Sequence, residues 1–297
     1  AARELDGDLP TRANTWVNRH LQYTHGYGLV MSPVAEEGKE GIPNLVVKDI
    51  PPVNTMGGLE VTRPEIYYGN DQPGYKFVNT GIKELDFPAG DQNRYVNYAG
   101  KGGIPVQNFF RKLMFAWHRG EMNILFSEYI NTDSRLQIWR KASERVNRIA
   151  PFLKLDKDPY LVQQNGQLYW IQDAYTTSRY FPYSELYKGR YNYIRNSVKV
   201  VVNAYNGAVD FYIVDESDPI IQVYKDVLPG VFKPLEEMPD GLRKHMRYPQ
   251  DIFDVQIDMY ASYHMTDPQV YYNNEDLWKR PKEKYGDNHI EMDPYYL

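Results

Sequence analysis

The chain has no cysteine, which excludes disulfides, thiolate zinc sites, iron–sulfur clusters and a cysteine nucleophile. Long apolar runs are missing too. Val198–Val202 is short, is interrupted by Lys199 and reads as a strand, whereas a membrane-spanning helix needs roughly 18–20 apolar residues. The opening Ala1-Ala2-Arg3-Glu4 lacks the apolar core of a signal peptide, so any targeting or membrane segment is expected outside this stretch. There is no basic excess: 34 Lys and Arg face 39 Asp and Glu, a formal charge of −5. Phosphate backbones call for a basic face, so no nucleic-acid partner is expected. The local basic stretch Arg140–Arg148 is interleaved with core-type residues.

What is present is a globular composition, 42% apolar and 25% charged over 297 residues, enough to bury a sizeable core. Tyrosine is abundant, with 27 copies. Its apolar ring and hydrogen-bonding tip suit half-buried strands and loops, or a surface on which a ligand stacks. Residues 1–105 are rich in Gly, Pro, Asn and Asp, with short extended runs at Leu45–Val47, Leu59–Thr62, Ile66–Tyr68 and Tyr75–Val78. Residues 106–297 form an α+β region. The two are expected to pack as one domain, cut short at the C-terminal side, where Tyr295-Tyr296-Leu297 resembles an interrupted strand.

In the second region Phe110, Leu113, Met114 and Trp117 share one helical face. Ser134 and Gln137 match a capping box, followed by a stripe of Leu136, Trp139, Ala142, Val146 and Ile149 that ends at Pro151. The spacing predicts a helical hairpin from these two segments. Asn165-Gly166 and Asn206-Gly207 each predict a β-hairpin with a two-residue turn. For the second, such a turn pairs Val202 with Phe211 and Val200 with Ile213, leaving one face apolar. Asp218-Pro219, Pro249 and Asp267-Pro268 open further helices, and that at Pro249 carries Ile252, Val255, Met259 and Tyr263 on one stripe. The fold class expected is α+β: antiparallel β-hairpins and sheet packed with helical hairpins.

Several long motifs stand in order along the chain. Asp173-Ala174-Tyr175-Thr176-Thr177-Ser178-Arg179-Tyr180-Phe181-Pro182-Tyr183-Ser184 is followed by Asn192-Tyr193-Ile194-Arg195-Asn196-Ser197-Val198-Lys199. Ala204-Tyr205-Asn206-Gly207, His245-Met246-Arg247-Tyr248-Pro249-Gln250-Asp251-Ile252-Phe253 and Tyr263-His264-Met265-Thr266-Asp267-Pro268 complete the set. Together they resemble uncharacterised protein family 0182, a group of prokaryotic integral membrane proteins. Phe181 departs from it, standing inside a loop where the family usually runs Arg-Tyr-Pro-Tyr-Ser. The resemblance implies transmembrane helices ahead of Ala1, more family sequence after Leu297 and a cell-membrane location with this segment outside the cytoplasm. Its own membrane domain is then the nearest partner. No activity or catalytic residue comes with the family.

The chemistry-bearing residues form no recognised spacing. Gly100–Pro105 lacks the phosphate-loop pattern and reads as a turn. His20, His25, His118, His245, His264 and His289 show no zinc-type pairing, so no metal and no cofactor are expected. Asp215-Glu216-Ser217-Asp218 and Asn273-Asn274-Glu275-Asp276 read as turns and helix caps, with an irregular calcium site as the alternative. Ser178, Ser184 and Ser197 have no nucleophile elbow. Three polar and aromatic loops are expected to converge on one ligand-binding cleft: Arg179, Tyr180 and Tyr183; Asn192, Arg195 and Asn196; His264, Asp267, Asn273 and Asp276. The functional reading is an extracytoplasmic domain that binds a ligand, envelope polymer or partner protein. A cell-envelope hydrolase using carboxylates or His264 is the alternative, so whether the chain is an enzyme stays open.

Overall fold

The computed structural model describes residues 1–4, 12–34, 42–55, 57–72 and 74–296. The first part carries short strands: β1 (Gly26–Tyr27), β2 (Val47–Lys48), β3 (Val53–Asn54), β4 (Glu65–Ile66), β5 (Lys76–Val78), β6 (Glu84–Ala89), β7 (Gln92–Val96) and β8 (Ile104–Pro105). Helices α1 (Phe109–Arg119) and α2 (Met122–Phe126), strand β9 (Arg135–Gln137) and helix α3 (Ala142–Ile149) follow. The main sheet is built from β10 (Lys154–Leu155), β11 (Tyr160–Gln164), β12 (Gln167–Ser178), β13 (Tyr193–Asn203), β14 (Val209–Ile213) and, after α4 (Pro219–Val227), β15 (Phe232–Pro234). Helices α5 (Asp240–Arg243), α6 (Gln250–Tyr260) and α7 (Pro268–Asn273) and the hairpin β16 (Lys282–Tyr285) and β17 (Asn288–Glu291) complete the fold. The fold is α+β, as its sequence pattern predicts.

The sheet runs β10-β12-β13-β14-β15, with β11 also on β12; its pairs are antiparallel except β14–β15. Alternation along β12 and β13 sends Leu168, Trp170, Val198, Val200 and Val202 to one face, where they pack with Val146 of α3, Ile221 of α4 and Phe211. Leu29, Val46, Val47 and Ile66 from the first 105 residues join the same core. On the opposite face Val162, Ile171, Val201 and Tyr212 pack with Leu242 of α5. Farther along, that face turns polar at Asp173, Lys199 and Tyr175.

The Asn165-Gly166 turn is as its sequence predicts: Gln164 pairs with Gln167, and both turn residues have positive φ, 50° and 76°. The second hairpin differs. Val202 pairs with Val209, Val200 with Phe211 and Val198 with Ile213, two residues out of the expected register. The loop is longer because Asn203 holds it: its side chain accepts from the Tyr205 and Asn206 amides at 2.9 and 3.0 Å, and its backbone N–H donates to Ala208 at 2.9 Å. A slip of two keeps every side chain on its face, so the apolar face survives the correction.

The predicted helical hairpin does not form. Residues 135–137 are strand β9, paired with β5 and β8. Ser134 is buried and caps nothing; its hydroxyl donates to the Asn79 carbonyl at 3.2 Å and accepts from the Asn131 amide at 3.0 Å. The helix starts only at Ala142, after Trp139 turns the chain with φ 48°. Long-range pairing of Leu136 with Phe77 and Ile104 overrides the local capping signal. Leu59–Thr62 forms no strand, and Tyr295 and Tyr296 lie outside any strand; Leu297 falls outside the described residues.

Candidate functional site

The polar end of the sheet is the foundation on which α6 rests. Lys199 and Asp173 face each other across β12 and β13 as a buried ion pair, and Lys199 also donates to the Arg247 carbonyl at 2.9 Å. Burial pushes the Asp173 carboxyl up, while Lys199 and the Asn196 amide pull against it. Next to it, buried Asp156 accepts from the Tyr175 hydroxyl and, at 2.9 Å, from the Asp251 backbone N–H in the first turn of α6. Lys154 pairs with Asp251 at 2.6 Å, and Arg247 pairs with Asp158 while stacking over Tyr160 at 3.9 Å. Asp173, Asn196, Lys199, Arg247 and Asp251 all belong to the motifs quoted above. Their shared task is to seat the Arg247–Asp251 segment and α6 on the sheet.

No residue of α6 is fully buried, because the helix has a second exposed side that forms one wall of a cleft. The opposite wall is the segment from Leu277 to Lys282 with the ends of β17 and the residues after it, and the volume is about 1,020 Å³, at the upper end of the roughly 300–1,000 Å³ typical of ligand sites. Phe253, Tyr260, Trp278 and Tyr295 line it and are solvent-accessible. Its charged lining balances: Asp258, Glu291 and Asp293 against Lys279, Arg280 and Lys282.

The walls are held by named contacts. Arg280 donates to the Asp254 carboxylate at 2.7 Å, the Asp254 carbonyl at 2.8 Å and the Asp258 carboxylate at 2.7 Å. The Trp278 backbone N–H donates to Ala261 at 3.1 Å, and its indole stacks on His264, ring centroids 4.1 Å apart and 10° from parallel. Lys157 bridges Asp254 and Asp293, each at 3.3 Å, tying the far end of the segment to α6. Burial alone would raise the Asp258 carboxyl; hydrogen bonds from Tyr187, Lys188 and Arg280 outweigh it and hold it below the ordinary carboxylate value. Asp258 is therefore a fixed anion and not a proton donor near neutral pH, which removes it as a general acid.

The residues expected to converge are placed as follows. Asn192 binds its loop internally, accepting from the Phe181 N–H at 3.1 Å and donating to the Phe181 and Ser184 carbonyls at 2.9 Å each. Arg179, Tyr180 and Tyr183 project from that loop into solvent. Arg195 pairs with Asp215 at 3.2 Å, and Asn196 donates to Asp173 at 3.2 Å. Asp267 caps α7, accepting from Gln269 and Val270; Asn273 donates to Glu275; His264 lies 3.4 Å from Asp276. The first two segments are thus one loop system at the end of the sheet. Their link to the third runs through α6: Tyr187 donates to Asp258 at 2.5 Å and Lys188 lies 2.9 Å from it, while His264 stacks on Trp278. Asp258 and Trp278 both line the cleft, whereas none of the ten expected residues does.

Sequence reasoning missed Phe253, Asp258, Tyr260, Trp278, Arg280 and Tyr295. A usable signal was present in α6, where Phe253 and Tyr260 repeat at a helical interval off the expected Ile252–Val255–Met259 stripe. The serine hydroxyls do not meet His264: Ser197 donates to Asp218 at 2.6 Å, Ser178 accepts from Tyr180, and Ser184 faces the Asn192 carbonyl.

Residues 1–297 match the description "Uncharacterised protein family (UPF0182)" from end to end. The chain belongs to that family. It is 52% identical over 297 residues to a UPF0182 protein of Pelotomaculum thermopropionicum, covering 100% of this chain and 32% of the relative. To the UPF0182 proteins of Desulforamulus reducens and Salinibacter ruber it is 53% identical over 299 residues and 49% over 304, covering 100% and 99% of this chain and 32% of each relative. The chain therefore spans about a third of the length of these curated relatives. No solved structure matches it. No helix among the described residues is long and apolar enough to cross a membrane.

Proposed function

We propose that this family segment is a binding domain whose cleft between α6 and the C-terminal hairpin takes a strand of neutral, polar polymer, a glycan of the cell envelope. The carrying observation is the cleft itself: solvent-accessible Phe253, Tyr260, Trp278 and Tyr295 over a lining with three anionic and three cationic residues. Aromatic faces offer flat apolar platforms to the ring faces of sugars, as they do to other ligands with apolar faces. The balanced charge disfavours a polyanion, which would need a net basic lining. The contacts of Arg280, Lys157 and His264 hold the walls before any ligand arrives, which lowers the cost of ordering on binding. On this reading the chain faces the envelope outside the cytoplasm, alongside a membrane portion of the longer family protein.

The test is a titration with neutral N-acetylglucosamine oligomers beside a polyanionic glycan of equal length. Saturable binding of the neutral oligomer, weakened at least tenfold by Trp278→Ala with unchanged circular dichroism, is the expected result. Preference for the polyanion, or affinity indifferent to Trp278→Ala, would overturn the reading.

A further inference from the structure

Helix α1 turns its larger apolar stripe outward. Phe109, Phe110, Leu113, Met114 and Trp117 fall on one contiguous arc at 100° per residue, and each is exposed, Trp117 by 88%. Its protein-facing side packs buried Ala116 and half-buried Phe115 against the core of Leu21, Phe77 and Ile124, with two cations beside them. The Lys112 ammonium donates to the Ser127 and Ile130 carbonyls at 2.6 and 3.3 Å, and the Arg119 guanidinium lies 5.5 Å from the centre of the Tyr75 ring. Phe126 of α2, 73% exposed, adds to the apolar surface. An ordinary surface helix turns such a stripe toward the core, and a contiguous exposed patch of this kind marks a contact surface.

Charge identifies the occupant. From Gln92 to Gly120 there is no acidic residue, Glu121 being the first, and Arg94, Lys101 and Arg111 add three cations to the inward-turned Lys112 and Arg119 in a chain whose overall charge is −5. Near the patch, Arg148 is exposed and lies over the Trp139 ring at 5.5 Å. A short amphipathic helix with Phe, Leu and Trp on its apolar face and a basic surround is the pattern of a helix lying in the interface of an anionic bilayer. We infer that α1 and the start of α2 dock the domain onto an anionic lipid surface, with the Phe110–Trp117 face immersed to the level of the acyl boundary. The apolar face supplies the depth of insertion, and the basic segment draws the domain to the surface, an attraction that salt weakens. The site is separate from the cleft and does not depend on its ligand.

Flotation of the 297-residue chain with phosphatidylcholine vesicles, with and without 30 mol% phosphatidylglycerol (about a third anionic lipid, a surface that attracts basic segments), tests this directly. The chain is expected to float with the anionic vesicles, with Trp117 emission shifted to the blue, and to stay behind with the neutral ones. Phe110→Ser with Trp117→Ser, both at exposed positions and so compatible with folding, is expected to cut the floated fraction at least fivefold. Lys101→Glu with Arg111→Glu is expected to weaken it and to flatten its salt dependence. Absence of flotation by a chain with native circular dichroism would overturn the inference, as would flotation that ignores the serine pair. A dimer in sedimentation velocity that the serine pair dissolves, without vesicle binding, would assign the face to a second copy instead.

Discussion

At the scale of single residues, Gly207 shows how a turn can be recognised while its register is misread. Its φ is +70°, and a Cβ there would lie 2.6 Å from the Tyr68 ring. Gly207→Val therefore combines left-handed strain with a clash against a fully buried side chain, and is expected to cost about 2 kcal/mol or more. Chemical denaturation checks it, and an unchanged midpoint would show that neither the turn nor the contact is as described. His25 gives a pH-dependent counterpart. It is fully buried between Glu84, 3.7 Å away, and Asp86, 3.5 Å away. Burial opposes its charge, yet the neighbouring Asp86 and Glu84 carboxylates outweigh burial and raise its pKa above the ordinary histidine value. A base with a raised folded pKa contributes stability that is full below its unfolded value and lost as pH rises through the folded one. Stability is thus expected to fall on going upward from about pH 6.5, and His25→Gln to flatten that slope. A slope unchanged by the substitution would place the proton elsewhere.

Among the elements, those whose signals are local were legible. The Asn165-Gly166 turn, the Asp218 cap ahead of Pro219 and the Asp267 cap ahead of Pro268 stand where their residues put them. Strand β9 was not legible, because Ser134 and Gln137 satisfy a capping pattern while the partners that make Arg135–Gln137 a strand are distant in sequence, at Lys76–Val78 and Ile104–Pro105. Helix α1 was legible as a helix, but its stripe faces out, and periodicity alone cannot say which medium covers a face. The seating of α6 depends on the Asp173–Lys199 pair. Lys199→Met alone leaves a buried carboxylate uncompensated and is expected to cost about 3–5 kcal/mol. Asp173→Leu combined with it is expected to recover most of that loss, measured as a double-mutant cycle. If the double variant is as unstable as the single, the pair stabilises through something other than charge compensation.

For the molecule as a whole, the motifs that carry the family resemblance converge, but on the support of a site and not on its surface. Asp173, Asn196, Lys199, Arg247 and Asp251 form polar contacts beneath α6, buried at Asp173 and Lys199, while the cleft is lined by Phe253, Tyr260, Trp278 and Tyr295. Sequence reading reached His264, which stacks on Trp278, and the loop that contains Tyr187 and Lys188, which reach Asp258. It could not reach the lining itself, because apposition of Leu277–Lys282 with α6 is set by Arg280, whose partners Asp254 and Asp258 are more than twenty residues distant. The central claim is that this aromatic cleft binds a neutral glycan, and the five tryptophans provide five indole N–H resonances that report on it. Titration with a neutral N-acetylglucosamine oligomer is predicted to shift the Trp278 indole signal while those of Trp16, Trp117, Trp139 and Trp170 stay in place. A stationary Trp278 signal at saturating oligomer, or shifts confined to another tryptophan, would contradict it.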